Sequence, residues 1–127
     1  MTHPAPDRTR PPFDFSKLKA RWEREREETH AASERLGAQV RLVATPILQS
    51  YGVTRAYLFG SIAECRAGPE SDVDLLVLGV SPAAYWDLRR DLEQALGRPL
   101  DLFTQDDDPV FVAKVMARSP VIYGPNP

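Results

Sequence analysis

Two short stretches decide the fold of this 127-residue chain: Leu-Phe-Gly-Ser at residues 58–61 and Ser-Asp-Val-Asp-Leu-Leu-Val at residues 71–77. The apolar run that begins at Val73 predicts a buried strand, on which alternate side chains share a face. Asp72 and Asp74 therefore point to the same side. Two carboxylates on one face repel each other, and Mg²⁺, which takes carboxylates together with substrate phosphates, is the economical explanation.

The first stretch predicts a turn that could bind an anion. A strand ends at Phe59, Gly60 permits a tight turn with close backbone approach, and Ser61 begins a short helix whose free N–H groups face outward. A triphosphate fits there chemically. Alone, a Gly-Ser turn is usually structural and an Asp-x-Asp is usually a solvated strand end, but the two at this spacing are far more specific.

Together, Gly60-Ser61, a ten-residue gap and Asp72-Val73-Asp74 resemble the signature of the DNA polymerase beta type nucleotidyltransferase superfamily, and the short chain resembles its minimal nucleotidyltransferase branch. The resemblance covers about residues 36–123. It implies an α/β (α+β) fold, in which helices flank a small mixed β-sheet, here with an extra N-terminal helix. It also implies Mg²⁺-dependent transfer of a nucleoside monophosphate, AMP from ATP, to a hydroxyl.

The resemblance assigns roles to individual residues. Asp72 and Asp74 would hold the metal that bridges the triphosphate. Asp101, on a neighbouring strand, matches the family's third carboxylate, either as a ligand of a second Mg²⁺ near the attacking hydroxyl or as the proton acceptor. The implied nucleotide-binding residues are Gly60, Ser61, Arg66 and Ser71.

The loop between the two stretches departs from the family pattern. Glu64 stands where an arginine is expected, and Cys65 replaces a glycine. An acidic residue beside a triphosphate is adverse unless it points away or pairs with a base, and Arg66 could supply the missing positive charge. The turn at Cys65 is expected to adopt a conformation that a side chain tolerates.

Three functions follow from these features. The resemblance implies an antitoxin that neutralises a HEPN-type toxin by adding AMP to a tyrosine. A second hypothesis keeps the fold but makes the protein a catalytically weakened module, which blocks its partner by contact through the charged N-terminal helix and Trp22. A small-molecule (antibiotic) nucleotidyltransferase ranks lowest, because the chain has little room for a second substrate-binding domain.

Composition excludes several other classes. The formal charge of −2 disfavours general nucleic-acid binding. The lone Cys65 excludes an internal disulfide framework, and with His3 and His30 it forms no zinc-type cluster. No apolar run approaches the roughly 18 residues that span a bilayer, and no signal-peptide core is present. We therefore expect a cytoplasmic protein without membrane contact, which could form a homo- or hetero-oligomer.

The chain divides into three parts by composition. Residues 1–13, rich in proline, predict a flexible arm. Residues 14–35 predict a charged helical extension with a narrow stripe of Leu18 and Trp22, which either folds back on the core or meets a partner. Residues 36–127 are the part that the family resemblance implies to be the minimal nucleotidyltransferase domain.

Within that domain, helical spacing from Leu36 predicts a second helix or a kinked continuation of the first, with either a kink at Pro46 or a restart there that Thr45 would cap. Ser81 is expected to cap a later helix, which ends at Gly97. The acidic run ending at Asp108 is read as the cap of a helix rather than as a metal site. Strands are predicted at residues 55–59, 73–78, around 101 and 121–123.

Overall fold

The structure, a computed structural model, describes residues 14–125, so the predicted arm over residues 1–13 lies outside the described residues. The elements in chain order are α1 (Ser16–Ser50), β1 (Arg55–Phe59), α2 (Gly60–Ala63), β2 (Val73–Leu78), a 3₁₀ turn (Pro82–Ala84), α3 (Tyr85–Leu96), β3 (Leu100–Thr104), α4 (Pro109–Arg118) and β4 (Val121–Tyr123).

The four strands form one mixed sheet in the order β3-β2-β1-β4. β1 pairs antiparallel with β2 and with β4, whereas β2 and β3 pair parallel. Parallel neighbours need a crossover connection, and α3 supplies it. The predicted α/β fold with a small mixed sheet flanked by helices is therefore confirmed.

The two faces of the sheet differ in what covers them. On the closed face, side chains such as Leu58, Val73 and Leu75 pack against α1 and α3 in the main core. On the opposite face, Tyr57 and Leu76 pack against α4 in a smaller core. By alternation along the strands, this half-open face also carries Phe59, Asp74, Asp101 and Phe103.

Of the two predicted alternatives, a second helix and a continuation of the first, the structure has the continuation, because α1 is a single helix of 35 residues. Pro46 cannot donate to the carbonyl of Leu42, but both residues lie on the exposed side, where water reaches that carbonyl. Thr45 does not cap a new helix; its hydroxyl donates to the carbonyl of Arg41 at 2.6 Å. The helix therefore continues past the proline.

Only the second half of α1 packs on the sheet. Its buried residues are Ser33, Val40, Ala44 and Leu48. Trp22 is 56% exposed, so the stripe of Leu18 and Trp22 does not fold back on the core. Among the described helices, none is both long and apolar enough to cross a membrane.

Most of the predicted helix ends are confirmed. Gly97 ends α3 in the left-handed conformation, with φ +65°. Asp108 caps α4 by accepting a hydrogen bond from the N–H of Val110 at 2.9 Å, and Asp107 accepts from the N–H of Thr104 at 2.8 Å, so two carboxylates of the acidic run are engaged structurally. Ser81 occupies the predicted N-cap position, with Pro82 in the first turn of the 3₁₀ helix, but its side chain makes no capping hydrogen bond.

Candidate functional site

The register of the sheet brings two of the predicted carboxylates together. In the parallel pair of β2 and β3, Asp74 lies opposite Asp101. Asp74 is half-buried and Asp101 is exposed. Asp72 is also exposed and lies just before β2, two residues from Asp74. The half-open face thus concentrates negative charge at the ends of two neighbouring strands.

This crowding changes the acidity of the central carboxyl. Burial raises the pKa of Asp74 to about 6, and the charge of Asp101, a hydrogen bond to Asp101 and the charge of Asp72 add to the rise. Each cause disfavours the ionised form. A cation at this position would relieve the repulsion, because it favours the ionised carboxylates.

Gly60 is required by its contact with Asp74. It begins α2 with φ +75°, a conformation that favours glycine. A Cβ at this position would overlap the carboxylate oxygen Oδ2 of Asp74. The side chain of Asp74 therefore lies directly against the backbone of the Gly60-Ser61 turn. Ile62, buried in the main core, anchors this turn from the opposite side.

The loop after α2 holds the departures from the family pattern. Glu64 forms an ion pair with Arg66, with 2.5 Å between Oε2 and Nη2, and both side chains are mostly exposed. Glu64 thus pairs with the base that was expected to compensate for it. The expectation for Cys65 is wrong: it keeps a glycine-like conformation with φ +58°, which costs a side-chain-bearing residue roughly 1–2 kcal/mol.

Ser71, which is predicted to bind nucleotide, has a structural partner within its own loop. Its hydroxyl accepts a hydrogen bond from the N–H of Gly68 at 2.7 Å. It thereby shapes the loop that delivers Asp72 to the site.

Two residues that the sequence reasoning missed hold the same loop. Arg98 donates through Nη1 to the carbonyls of Pro69 and Ser71, at 3.0 and 3.2 Å. The buried hydroxyl of Ser33 accepts from the N–H of Ala67 at 3.0 Å. A serine on the apolar stripe of a helix was a usable signal for Ser33, whereas nothing in the sequence distinguished Arg98 from the chain's other arginines.

Three phenylalanines beside the carboxylates were also missed. The ring centroids of Phe59 and Phe103 lie 5.6 Å apart, those of Phe59 and Phe111 also 5.6 Å, and those of Phe103 and Phe111 4.9 Å. We call these rings the phenylalanine triad. Their positions in the sequence could have revealed two of them, because Phe59 directly precedes Gly60 and Phe103 shares its strand face with Asp101.

The donor set fits Mg²⁺ chemically, since hard carboxylate oxygens are the ligands that this ion takes. As the side chains stand, no group of three or more His, Cys, Asp or Glu residues within residues 14–125 is arranged to hold a metal ion. The close pair is Asp74 and Asp101. Asp72 lies directly before β2, and its side chain is exposed.

A separate groove of about 720 Å³ lies between α1 and the loop after α2. Glu25, Glu28, Arg35 and Arg98 contribute charges of both signs to its walls, and the three candidate carboxylates do not line it. Its volume alone therefore gives no reason to place the triphosphate there rather than at the carboxylates.

Comparison with known proteins supports the resemblance to nucleotidyltransferases. The family model described as polymerase beta, nucleotidyltransferase matches residues 44–127. A protein of Methanocaldococcus jannaschii that is named a putative protein adenylyltransferase is 40% identical to this chain over 62 residues. The match covers 46% of this chain and 67% of that protein.

Solved structures share the fold. A chain in a crystal structure of a toxin-antitoxin with AMP-PNP superposes with a TM-score of 0.58 at 24% identity, over 68% of this chain and 73% of that chain. A chain in the structure of the tri-AMPylated HEPN toxin of Shewanella oneidensis in complex with MNT antitoxin gives 0.53 at 21% identity, over 73% of each chain.

Proposed function

Since the chain belongs to the polymerase beta nucleotidyltransferase family and is a nucleotidyltransferase, we propose that it transfers AMP from ATP to a protein hydroxyl. The observation that carries this proposal is the contact of Asp74 with Gly60 on one side and its register with Asp101 on the other. These contacts set the Gly60-Ser61 turn, which we propose binds phosphate, beside two carboxylates. The relative in M. jannaschii, named as a protein adenylyltransferase, supports a protein acceptor.

In this proposal Asp72, Asp74 and Asp101 would hold two Mg²⁺ ions. The metal supplies charge neutralisation of the phosphates and of the attacking oxygen. The backbone at Gly60 and the side chain of Ser61 bind the outer phosphates, and the fixed contact between Gly60 and Asp74 keeps those phosphates next to the metal ligands. Asp101 is either a ligand or the acceptor of the hydroxyl proton.

Arg66 is the remaining basic residue of the proposed nucleotide site. Its ion pair with Glu64 is exposed, and such pairs contribute only about 0–1 kcal/mol. Turning Arg66 away from Glu64 toward a triphosphate is therefore inexpensive. Ser71 is the remaining proposed nucleotide-binding residue: its hydroxyl accepts from the N–H of Gly68, which shapes the loop that carries Asp72, and it can still donate to a phosphate oxygen.

We further propose that the acceptor is a tyrosine of a HEPN-type toxin and that the chain acts in the cytoplasm as its antitoxin. A fold neighbour occurs with a tri-AMPylated HEPN toxin, and another occurs in a toxin-antitoxin structure with AMP-PNP. The first half of α1, with Trp22 exposed, provides a surface for such a partner. Neutralisation by contact alone is the second candidate, which the pairing of Arg66 with Glu64 favours.

Transfer to the partner separates the two candidates. The chain is produced with the product of its neighbouring gene, incubated with labelled ATP and Mg²⁺, and the partner is examined for added AMP. We expect label on a tyrosine with the wild-type chain and with Asp87→Asn, an exposed carboxylate on α3, but not with Asp74→Asn. Neutralisation that survives Asp74→Asn without label would support contact alone.

A further inference from the structure

The phenylalanine triad forms a wall between the carboxylates and the core under α4. One row further along the same face, Tyr57 and Leu76 are fully buried. Phe59, Phe103 and Phe111 are only half-buried, although they contact one another. α4 therefore covers Tyr57 and Leu76 completely but leaves Phe103, which lies beside Leu76 in the register of β2 and β3, half-buried.

The triad lies within reach of the reacting groups. Phe59 pairs with Asp74 across β1 and β2. Phe103 is two residues after Asp101 on β3, so their side chains share a face at a spacing of roughly 7 Å. Phe111 packs on both Phe59 and Phe103 and fixes their rings from the α4 side. The open parts of the rings and the carboxylates thus belong to one continuous surface.

The direction of attack selects the part of this surface that meets the acceptor. In an in-line displacement the attacking and leaving oxygens lie on opposite sides of the phosphorus. If pyrophosphate leaves toward Gly60-Ser61 at the end of β1, the acceptor enters from the side of β3. β3 is an edge strand of the sheet, Asp101 on this strand is exposed, and Phe103 lies two residues after Asp101.

We infer that Phe103, supported by Phe111, is the platform on which the acceptor rests while its hydroxyl lies at Asp101. The inference depends on the proposed nucleotidyl transfer. In the step, the acceptor oxygen bonds to the α-phosphorus, the bond to the bridging oxygen breaks, and pyrophosphate leaves with the electron pair. The hydroxyl proton passes to Asp101 or to solvent.

The chemistry of the platform favours an aromatic hydroxyl over an aliphatic one. A phenol carries its hydroxyl at the far end of a rigid apolar ring, which matches a carboxylate and an aromatic ring roughly 7 Å apart on one face. Aromatic pairs with centroids about 4.5–7 Å apart attract each other beyond their shared burial. A serine whose hydroxyl lies at Asp101 has no ring with which to contact Phe103.

The test compares two small acceptors on the purified full-length chain. Transfer of AMP from Mg·ATP to N-acetyltyrosinamide and to N-acetylserinamide is measured, together with the affinity for Mg·AMP-PNP. The variants are Phe103→Leu, which keeps the apolar volume without the ring, and Phe103→Ala. Trp86→Leu is the matched control, because Trp86 is an aromatic residue, 68% exposed, on α3.

We expect wild type and Trp86→Leu to prefer the tyrosine amide. Phe103→Leu should lower kcat/KM for that amide about tenfold and leave the AMP-PNP affinity unchanged. An equal loss of AMP-PNP affinity would show that the rings hold the base instead and would overturn the inference. Unchanged transfer, or wild-type protein that binds AMP-PNP but modifies neither amide, would also overturn it. Wild-type protein that does not bind AMP-PNP would contradict the proposed function itself.

Discussion

The two faces of the sheet are built from the same strands but serve different ends. On β2, Val73, Leu75 and Val77 are fully buried on the closed face, whereas Asp74 is only half-buried on the half-open face. The closed face packs against α1 and α3 through a cluster of buried apolar side chains. The half-open face keeps two facing carboxylates whose mutual repulsion opposes folding. Neighbouring residues on one strand therefore serve different purposes: one side chain stabilises the core, and the next belongs to the proposed reaction site.

The largest expected contrast comes from Asp74→Asn. Removing the central carboxylate should lower AMP transfer at least about a thousandfold, because positioning and charge stabilisation do most of the work in phosphoryl chemistry. The melting temperature without metal should stay the same or rise, since the repulsion from Asp101 is lost. Transfer assays and thermal melts in EDTA check both expectations. A large drop in melting temperature would mean that this face also carries stability.

The reciprocal substitution, Leu75→Ala, acts on the closed face. Truncating a fully buried leucine costs about 2–5 kcal/mol of unfolding free energy. Urea denaturation measures this cost, and the molecules that remain folded should keep their affinity for AMP-PNP. If affinity in the folded fraction disappears, the two faces are coupled rather than separate.

Gly60→Ala tests the contact between the turn and Asp74. The new Cβ overlaps the Asp74 carboxylate, and the backbone must hold a left-handed φ, so we expect a loss of about 1–3 kcal/mol. AMP transfer should fall as well, because Asp74 must move. Gly52→Ala is the matched control: Gly52 has a similar φ of +70°, but nothing lies within 4 Å of the added Cβ. Equal transfer by both variants would remove Gly60 from the site.

A smaller effect concerns pH. The pKa of Asp74 is raised from 3.8 to about 6 in the folded state, so folding favours its protonated form. Without metal, the contribution of Asp74 to the free energy of unfolding should therefore be greatest below about pH 4. This contribution should be lost as the pH rises to about 6. Solvent screening limits the effect to about 1 kcal/mol. Unfolding in EDTA should show it for wild type and not for Asp74→Asn; an identical pH profile in both would contradict it.

The smallest expected effect comes from Glu64→Gln. It releases Arg66 from an exposed ion pair worth about 0–1 kcal/mol, which corresponds to at most about a fivefold gain in affinity for AMP-PNP. Calorimetric titration measures the gain. Arg66→Gln should shift the affinity the opposite way. A loss of affinity in Glu64→Gln would mean that Glu64 contributes to the site directly.

The strands were predictable because their chemistry is local. Alternation places Asp74 and Asp101 on one face, and the parallel register of β2 and β3 sets them opposite each other. The Asp108 cap was predictable for the same reason, since a capping side chain bonds within its own turn.

The errors and omissions depend on contacts between distant residues. A proline within a helical pattern usually interrupts it, but here the packing of Val40, Ala44 and Leu48 on the sheet outweighs the lost hydrogen bond at Pro46. Arg98 and Ser33 hold a loop about 30 residues away in sequence, and no local pattern reveals such partners. The phenylalanine triad likewise forms only when α4 returns to the sheet.

The most direct test is a crystal structure with AMP-PNP and Mn²⁺, in which anomalous scattering locates the metal. We predict metal on the half-open face, at about 2–2.2 Å from carboxylate oxygens of Asp72, Asp74 and Asp101, with the outer phosphates at Gly60-Ser61. Nucleotide bound in the groove between α1 and the loop after α2, or metal away from Asp74, would contradict the account.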